Sequence, residues 1–373
     1  MECKIWKQET FWAIVNLLST EEISEILLCL RVVLANLHNI VYNPKITWEM
    51  VDNLAGLDTK ESIDSAGLQH TNSLAIIISQ FIDHRFWDKE RCFILLIKMQ
   101  RNNFVIYDDL IESKGAGVFP VGALLNHSCK PNCILTYQFK ENLGFQQIVR
   151  AIKDIEPGEE ITHAYVDQAQ ITPLRREKLF NQYHFYCLCE KCVDAIQSGN
   201  HLSKLDESML GYRVTTLCAI DHEDENLKEA DSLFEKQFEC ESEEEREQIL
   251  QQVLKIRQDR LHEYSLPMLM TWSRMLDCQL AQQKTASAIV SCRKICEIYE
   301  RSGIYDNLVE GNVVHPLLGL QLFTLGDLLS NQVDTIEQSK FIYKKALFIL
   351  EITHGKSHEY AMTLKDKINT TIE

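Results

Sequence analysis

Three cysteines lie within six residues of one another, in the pattern Cys187-x-Cys189-x-x-Cys192. Three sulfurs that converge within a single turn suit a tetrahedral zinc ion better than a disulfide, so the pattern predicts a structural zinc site. The fourth ligand must come from elsewhere in the chain, and Cys129 and Cys133 are the best candidates. Spacing alone does not choose between them. The alternative interpretation is three buried cysteines that are clustered by chance.

The other cysteines indicate a reducing environment. The 373-residue chain has 13 cysteines, an odd number, and it is long enough to bury a core without disulfides. Its first residues do not resemble a signal peptide, and its longest apolar stretches are far below the ~20 residues of a membrane span. These features predict an intracellular protein with no membrane partner. Five cysteines in apolar helical patterns are predicted to be small buried hydrophobic side chains: Cys29, Cys92, Cys278, Cys292 and Cys296.

The chain is acidic, and its charge is unevenly distributed. The formal net charge is −16 and the pI is near 5.3, which argues against binding nucleic acid through bulk charge and leaves a basic protein partner open. Residues 221–247 hold 13 acidic and 3 basic side chains. This segment is interpreted either as a solvated helical face or linker, or as an acidic surface that attracts basic substrate segments.

Apolar spacing divides the chain into a helical start, a β-rich middle and a helical end. Helical periodicity runs over residues 11–57, and Ser19-Thr20-Glu21-Glu22 predicts a helix start within it. Residues 74–97 are compatible with either a helix or a buried strand, and helices over 74–81 and 88–99 are the favoured interpretation. Short β-type runs separated by glycine and proline follow at 104–107, 133–139 and 147–152. From about Tyr264 the pattern is helical to the end of the chain.

The C-terminal helices contain a loose internal repeat. Leu266-Pro267 and His315-Pro316 each open a predicted helix, 49 residues apart, and each helix is followed by a second one rich in Ile, Tyr and Leu. Paired helices in series indicate a solenoid of the tetratricopeptide (TPR) type, although the spacing exceeds the usual ~34 residues. A plain helical bundle is the alternative.

Two motifs in the β-rich middle resemble the active-site signatures of SET-domain methyltransferases. Residues 123–133, ALLNHSCKPNC, resemble the NHSCxPN signature, and residues 155–165, IEPGEEITHAY, resemble the GEE(L/I)xxxY block that closes the same site. Residues 175–192 resemble the post-SET segment of the SMYD family, whose members combine a SET domain with a MYND zinc finger. Residues 315–358 resemble the C-terminal helical domain of that family.

The resemblance covers roughly residues 70–373 and implies an α+β fold. This fold is a SET-domain β core with a helical insert, a post-SET zinc site and a C-terminal all-helical, TPR-like domain. The implied segments are a remnant of a MYND finger tail at 1–10, the helical insert at 11–72, the SET core at 73–185, the post-SET zinc segment at 186–200 and the C-terminal helical domain at 201–373.

The resemblance also implies a function, that of a protein-lysine N-methyltransferase of the cytoplasm and nucleus. The cofactors would be S-adenosylmethionine and structural zinc, and the substrates lysine-containing proteins, histones or others. Tyr165 would be the catalytic residue and Tyr183 a wall of the lysine channel. The side chains assigned to S-adenosylmethionine are Asn102, Asn126, His127, Tyr165 and Phe185, with Phe185 on the adenine. The implied zinc ligands are Cys129 (rather than Cys133), Cys187, Cys189 and Cys192.

Several of these side chains also have a structural interpretation. Tyr165 would then be a core tyrosine, Phe185 an ordinary packing residue and Asn102 a turn or helix cap. His127, outside its motif, would be a buried histidine with satisfied hydrogen bonds. Tyr183 is likewise open to a packing role. The order of the motifs along the chain favours the functional interpretation.

The sequence departs from the family pattern at its N-terminus. The family's glycine-rich GRG-type strand and its finger of seven Cys and one His are absent, and Cys3 resembles the last ligand of such a finger. A lone cysteine cannot hold zinc, so Cys3 is expected to be metal-free, and the sheet is expected to have an unpaired edge. The alternative function is a catalytically impaired, shortened isoform, whose zinc-stabilised helices bind peptides or a chaperone. Direct nucleic-acid binding is not expected.

Overall fold

A computed structural model of the chain describes residues 9–38, 47–56, 65–83, 85–140, 144–197, 206, 224–305 and 308–370. Within these ranges no helix is both long and apolar enough to cross a bilayer. The chain forms two compact units. The first comprises Met1–Asn126, Leu135–Val149 and Phe180–Phe185, and the second comprises His127–Ile134, Arg150–Leu179 and Tyr186–Glu373. Cys3 and most of the predicted finger remnant, residues 1–8, lie outside the described residues.

The first unit contains the helices that apolar periodicity predicts. The described helices are α1 Glu9–Val15, α2 Thr20–Leu37, α3 Trp48–Asp52, α4 Ser65–Ser79 and α5 Lys89–Asn102. The predicted start of α2 is confirmed, because the Ser19 hydroxyl accepts the Glu22 N–H at 3.2 Å and the Glu22 carboxylate accepts the Ser19 N–H at 2.7 Å. This capping box satisfies backbone donors that a helix start leaves open. Asp88 caps α5 with a single bond, since its carboxylate accepts the Arg91 N–H at 2.8 Å.

The core of the first unit is formed where α1, α2, α4 and α5 meet. The ring of Phe11 packs edge-on against Phe81, with centroids 5.2 Å apart. Cys29 and Cys92 are fully buried in this core, which confirms their prediction as small hydrophobic side chains. The other fully or nearly fully buried residues of this cluster include Val15, Ile26, Leu30, Val33, Leu74, Ala75, Ile78, Leu96 and Met99.

The middle of the chain carries short paired strands. They are β1 Asn103–Tyr107, β2 Ser113–Val118, β3 Asn126–His127, β4 Cys133–Lys140, β5 Gly144–Ala151 and β6 Thr162–His163. β1 pairs antiparallel with β2, β3 pairs with β6, and β4 pairs with β5. The β-type runs predicted from the sequence are therefore confirmed. A 3₁₀ turn at Gly122–Leu124 precedes β3, and helix α6 Thr172–Tyr183 follows β6.

The second unit ends in a series of helices. The described elements are α7 Glu190–Gln197, α8 Glu225–Lys236, α9 Glu243–Arg260, α10 Leu266–Ala281, α11 Thr285–Arg301, the strands β7 Leu308–Val309 and β8 Asn312–Val313, α12 Pro316–Ser330, α13 Ile336–Thr353 and α14 Glu359–Thr370. Both predicted helix starts are confirmed, since prolines occupy the first turns of α10 and α12, where a missing N–H costs no hydrogen bond.

Helices α10 to α13 share one hydrophobic core. Three residues, Gln282–Lys284, connect α10 to α11, so the two helices pack side by side. Residues 331–335 connect α12 to α13 in the same manner. Gly319 lets α12 and α13 approach closely, because a Cβ at this position would lie 2.7 Å from Leu350 Cδ2. Cys278, Cys292 and Cys296 are buried in this unit, as predicted.

Candidate active site and metal centre

The four cysteines assigned to zinc converge in the second unit. The Sγ atoms of Cys129, Cys187, Cys189 and Cys192 all lie within 4.8 Å of one another, and three of the four residues are buried. Cys129 follows β3, whereas the other three surround the start of α7. Cys133, the competing candidate for fourth ligand, is buried as the first residue of β4 and does not belong to the cluster.

The cluster has the dimensions that zinc requires. A tetrahedral ion with Zn–S bonds of about 2.3 Å places its sulfurs about 3.8 Å apart. Cys129 Sγ lies 4.0 Å from Cys187 Sγ and 3.7 Å from Cys192 Sγ. A hydrogen bond from Cys129 is the largest cause that lowers the pKa of Cys187, and it also lowers the pKa of Cys189 to about 6. An all-sulfur donor set of this size fits a structural zinc ion.

A buried arginine lies beside the cluster. Arg175 on α6 is 1% exposed, and its Nε–H donates to Cys129 Sγ at 3.4 Å. Its remaining N–H groups donate to the Gln170 carbonyl and to Thr172 Oγ1, and Asp206 lies 3.9 Å away as its ionic partner. Burial lowers the pKa of Arg175, but the hydrogen bond to Cys129 and the charges of Cys129, Cys192 and Asp206 together raise that pKa above its ordinary value. The guanidinium therefore stays charged next to the thiolates.

The imidazole of His127 connects the cysteine cluster to Tyr165. The backbone N–H of Tyr165 donates to His127 Nδ1 at 2.9 Å, and His127 Nε2 lies 3.2 Å from Cys129 Sγ. The Ser128 N–H donates to the His163 carbonyl at 3.1 Å, which adds a backbone bond between the same two segments. The two motifs, which are separated by more than 20 residues in sequence, therefore meet in the folded chain.

Asn132 provides a second connection between the two motifs. Its side chain is 2% exposed, and its amide nitrogen donates to Glu159 Oε1 at 3.1 Å and to the Glu160 carbonyl at 2.8 Å. Its amide oxygen accepts the Thr162 N–H at 2.8 Å. Every polar group of this buried amide is thus used to hold the 156–162 loop. Sequence reasoning quoted Asn132 within a motif but assigned it no role.

Tyr165 lies in an environment of aromatic rings. Its ring centroid is 5.3 Å from that of His127 and 4.8 Å from that of His163. Burial, with a contribution from the Glu160 carboxylate, raises the pKa of the Tyr165 hydroxyl. Burial also lowers the pKa of His163 to about 4. Near neutral pH both side chains are therefore uncharged, and Tyr165 retains its O–H proton.

Comparison with known proteins agrees with these motifs. The family model of the SET domain matches residues 3–166. The chain is 28% identical over 297 residues to the histone-lysine N-methyltransferase ASHR1 of Arabidopsis thaliana, covering 73% of this chain and 58% of the plant protein. It is 26% identical over 296 residues to the N-lysine methyltransferase SMYD2 of Bos taurus, covering 76% of this chain and 62% of the bovine protein. Residues 3–166 therefore resemble a SET domain, and the chain is similar to lysine methyltransferases of the SMYD type.

One further relative has a higher sequence identity to the chain, over a shorter aligned segment. SMYD2 of Gallus gallus is 36% identical over 123 residues, which cover 33% of this chain and 27% of the chicken protein. The chain spans about 60% of the length of the plant and bovine relatives. The α+β fold and the C-terminal helical region expected for a SET-domain protein are therefore confirmed at this coarse level.

The other residues that sequence reasoning assigned to the SET-domain site lie in the first unit. Asn102 ends α5, and its amide nitrogen donates to the Ala55 and Lys98 carbonyls at 2.8 and 2.7 Å, which fits its interpretation as a cap. Asn126 begins β3 with an exposed side chain. The rings of Tyr183 and Phe185 lie 6.5 Å apart and are both half-buried. The assignment of these four side chains to cofactor and substrate stays a prediction.

Proposed function

We propose that the chain is a protein-lysine N-methyltransferase that uses S-adenosylmethionine and acts on histones or other lysine-containing proteins. The observation that carries the proposal is the meeting of the 126–133 and 156–165 motifs through His127 and Asn132. The two motifs that resemble the signatures of one active site are held together by specific side chains. The SET-domain match and the methyltransferase relatives support the same activity.

The chemistry of methyl transfer fits the properties of Tyr165. When bound, S-adenosylmethionine supplies a methyl group activated by a positively charged sulfur. The protein then has to orient a neutral lysine amine and exclude water, for which a strong base is not needed. The raised pKa of Tyr165 keeps its hydroxyl neutral, so it orients polar groups through hydrogen bonds. Tyr183 and Phe185 would supply aromatic surfaces, which suit a lysine stem and a cofactor ring.

The residues proposed for each ligand follow the sequence motifs. Asn102, Asn126, His127, Tyr165 and Phe185 would hold S-adenosylmethionine, and Tyr183 would form a wall of the lysine channel. Zinc would be held by Cys129, Cys187, Cys189 and Cys192 as the metal of a post-SET segment. The fit of the sulfur separations to a tetrahedral ion supports this last assignment.

The helices of the second unit are proposed to form a TPR-like domain that binds peptides or a chaperone. The short connections within the pairs α10–α11 and α12–α13 support this proposal. A protein that methylates both histones and other proteins would be present in the nucleus and the cytoplasm, and this localisation is proposed for the chain. A catalytically impaired interaction module has less support, because Tyr165, the proposed catalytic residue, is hydrogen-bonded through its backbone to His127 of the other motif.

Calorimetric titration with S-adenosylmethionine and transfer of labelled methyl groups test the proposed activity. We expect binding below ~1 mM and labelled lysine in histones or in proteins of a cell lysate. The variant Tyr165→Phe should bind the cofactor and lose activity by about 10²-fold, because it keeps the ring but loses the hydroxyl. Tyr264→Phe, in the C-terminal helices, is the matched control and should keep its activity. Absence of binding near 1 mM, or full activity of Tyr165→Phe, would refute the proposal.

A further inference from the structure

The two ring nitrogens of His127 have different partners, and these partners determine where the proton lies. A backbone N–H can only donate, so the Tyr165 amide fixes His127 Nδ1 as an acceptor. The neutral ring then carries its proton on Nε2. Nε2 lies 3.2 Å from Cys129 Sγ, and the His127 side chain also hydrogen-bonds Cys187, so this N–H is directed at the sulfurs of the cluster. One side chain thus contacts a cysteine of the metal cluster and the backbone of Tyr165.

Cys129 receives two side-chain N–H donors. Arg175 Nε donates at 3.4 Å from one side, and His127 Nε2 donates from another. N–H donors stabilise a metal-bound thiolate and fix its orientation. The other contacts of Arg175 lead to Gln170, Thr172 and Asp206. Of these two donors, His127 is the one whose second hydrogen bond reaches Tyr165.

We propose that His127 is a positioning residue that couples the metal centre to Tyr165. A metal-bound Cys129 thiolate holds the imidazole in place, and the imidazole holds the backbone of Tyr165 through Nδ1. The importance of this coupling for catalysis rests on the proposed function, but the coupling itself is a property of the fold. Ser128 and Asn132 also connect the two segments, so the segments stay together when the His127 ring is removed.

Two substitutions separate the two hydrogen bonds of His127. In His127→Gln the side-chain amide nitrogen replaces Nε2, so the donor to Cys129 is kept and the acceptor for the Tyr165 N–H is lost. In His127→Asn the amide oxygen replaces Nδ1, so the acceptor is kept and the donor to Cys129 is lost. Metal affinity is measured by competition with a chelator, and the thiolate bands of bound Co²⁺ report whether all four cysteines coordinate.

Hydrogen exchange of the Tyr165 amide measures the coupling directly. In the wild-type protein we expect this exchange to become at least about 5-fold faster when zinc is removed, because the Nδ1 acceptor is then no longer held. In His127→Gln the exchange should be fast with and without zinc, while the metal affinity stays near that of the wild type. In His127→Asn the metal affinity should fall by about 10- to 100-fold, and Tyr165 exchange should no longer respond to zinc.

Arg175→Gln is the matched control, because it removes the other donor to Cys129 and leaves His127 intact. At saturating zinc this variant should keep the slow exchange of Tyr165. Exchange that does not respond to zinc in the wild type, or a zinc response in His127→Gln equal to that of the wild type, would overturn the coupling. An equal increase in Tyr165 amide exchange in Arg175→Gln would also overturn the coupling. The faster exchange would then result from a general weakening of the metal site. None of these measurements depends on methyl transfer, so they test the coupling separately from the proposed activity.

Discussion

Asn132 makes the most complete set of hydrogen bonds between the two motifs of the site. Its amide nitrogen donates to Glu159 and to the Glu160 carbonyl, and its oxygen accepts from Thr162. The isosteric variant Asn132→Asp removes both donated bonds and places a carboxylate beside Glu159. Because the group is buried, we expect a loss of about 2–3 kcal/mol in the free energy of unfolding. Urea denaturation of the variant measures this loss.

The exposed residue Asn16, at the end of α1, provides the control for this substitution. Asn16→Asp changes the same atoms in solvent and should alter the free energy of unfolding by less than about 0.5 kcal/mol. Similar values for the two variants would mean that the bonds of Asn132 do not hold the 156–162 loop.

The choice between Cys129 and Cys133 shows the limit of the sequence at the residue scale. Both residues lie in one motif, and cysteine spacing describes only ligands that share a turn. The choice depends on which of the two side chains lies near the start of α7 in the folded chain. Tertiary packing determines this, and local spacing does not. Family resemblance selected Cys129, and the geometry agrees. Arg175 and Asp206 had no comparable signal as a pair, because they are 31 residues apart and are brought together by tertiary packing.

At the scale of elements, the end of α6 depends on an unusual backbone conformation. His184 follows the last residue of this helix and has φ of 58°, in the left-handed region that glycine adopts most easily. It lies between Tyr183 and Phe185, whose ring centroids are 6.5 Å apart. We expect His184→Gly to stabilise the chain by about 0.5–1 kcal/mol, and His184→Val to destabilise it by about 1–2 kcal/mol. Thermal and urea unfolding measure both changes.

Lys178 on the exposed side of α6 serves as the comparison position. There the backbone is helical, so Lys178→Gly should destabilise by about 1 kcal/mol and Lys178→Val by only about 0.5 kcal/mol. The glycine substitution therefore has opposite signs at the two positions. Destabilisation by glycine at both would show that His184 is held by its side-chain contacts rather than strained by its backbone.

Element boundaries were predictable where a local signal determines them. Ser19 and Asp88 cap α2 and α5 through bonds to residues only three positions away, so the sequence shows both partners together. Pro267 and Pro316 mark the starts of α10 and α12 for the same reason. The left-handed turn at His184 had no such signal, because histidine seldom adopts that conformation without tertiary contacts. The TPR-like arrangement stays a prediction.

The acidic segment has several structural roles in the whole molecule. Glu247 is 5% exposed and accepts hydrogen bonds from Lys284 and Gln282 at 2.6 and 3.0 Å. Asp231 pairs with Arg257 at 2.7 Å. Within the part of 221–247 that the structure describes, the acids are therefore partly used to join α8 and α9 to their neighbours. In the first turn of α9, Glu244 and Glu245 are exposed, whereas Glu243 pairs with Arg246.

A partly buried histidine of the C-terminal helical region, His315, makes stability depend on pH. The ring of His315 stacks on Tyr305 with centroids 3.8 Å apart, and burial lowers its pKa to about 3. An unfolded histidine titrates near 6.5, so the unfolded state binds more protons between pH 6.5 and about 3. Stability is therefore fully present above pH 6.5 and falls as the pH decreases, by up to about 1.4 kcal/mol per unit.

The variant His315→Phe should remove this part of the pH dependence. Phenylalanine keeps the stack on Tyr305, and no helix cap is lost, because the His315 side chain makes no capping bond to α12. The free energy of unfolding, measured from pH 7.5 to 4.5, should therefore fall less steeply in the variant than in the wild type. Both proteins carry the same cysteine cluster, so loss of metal in acid cancels in the difference.

The exposed His70 supplies the control His70→Gln, which should follow the wild-type profile. Parallel profiles for His315→Phe and the wild type would contradict this prediction. They would mean that His315 is protonated in the folded protein as readily as in the unfolded chain.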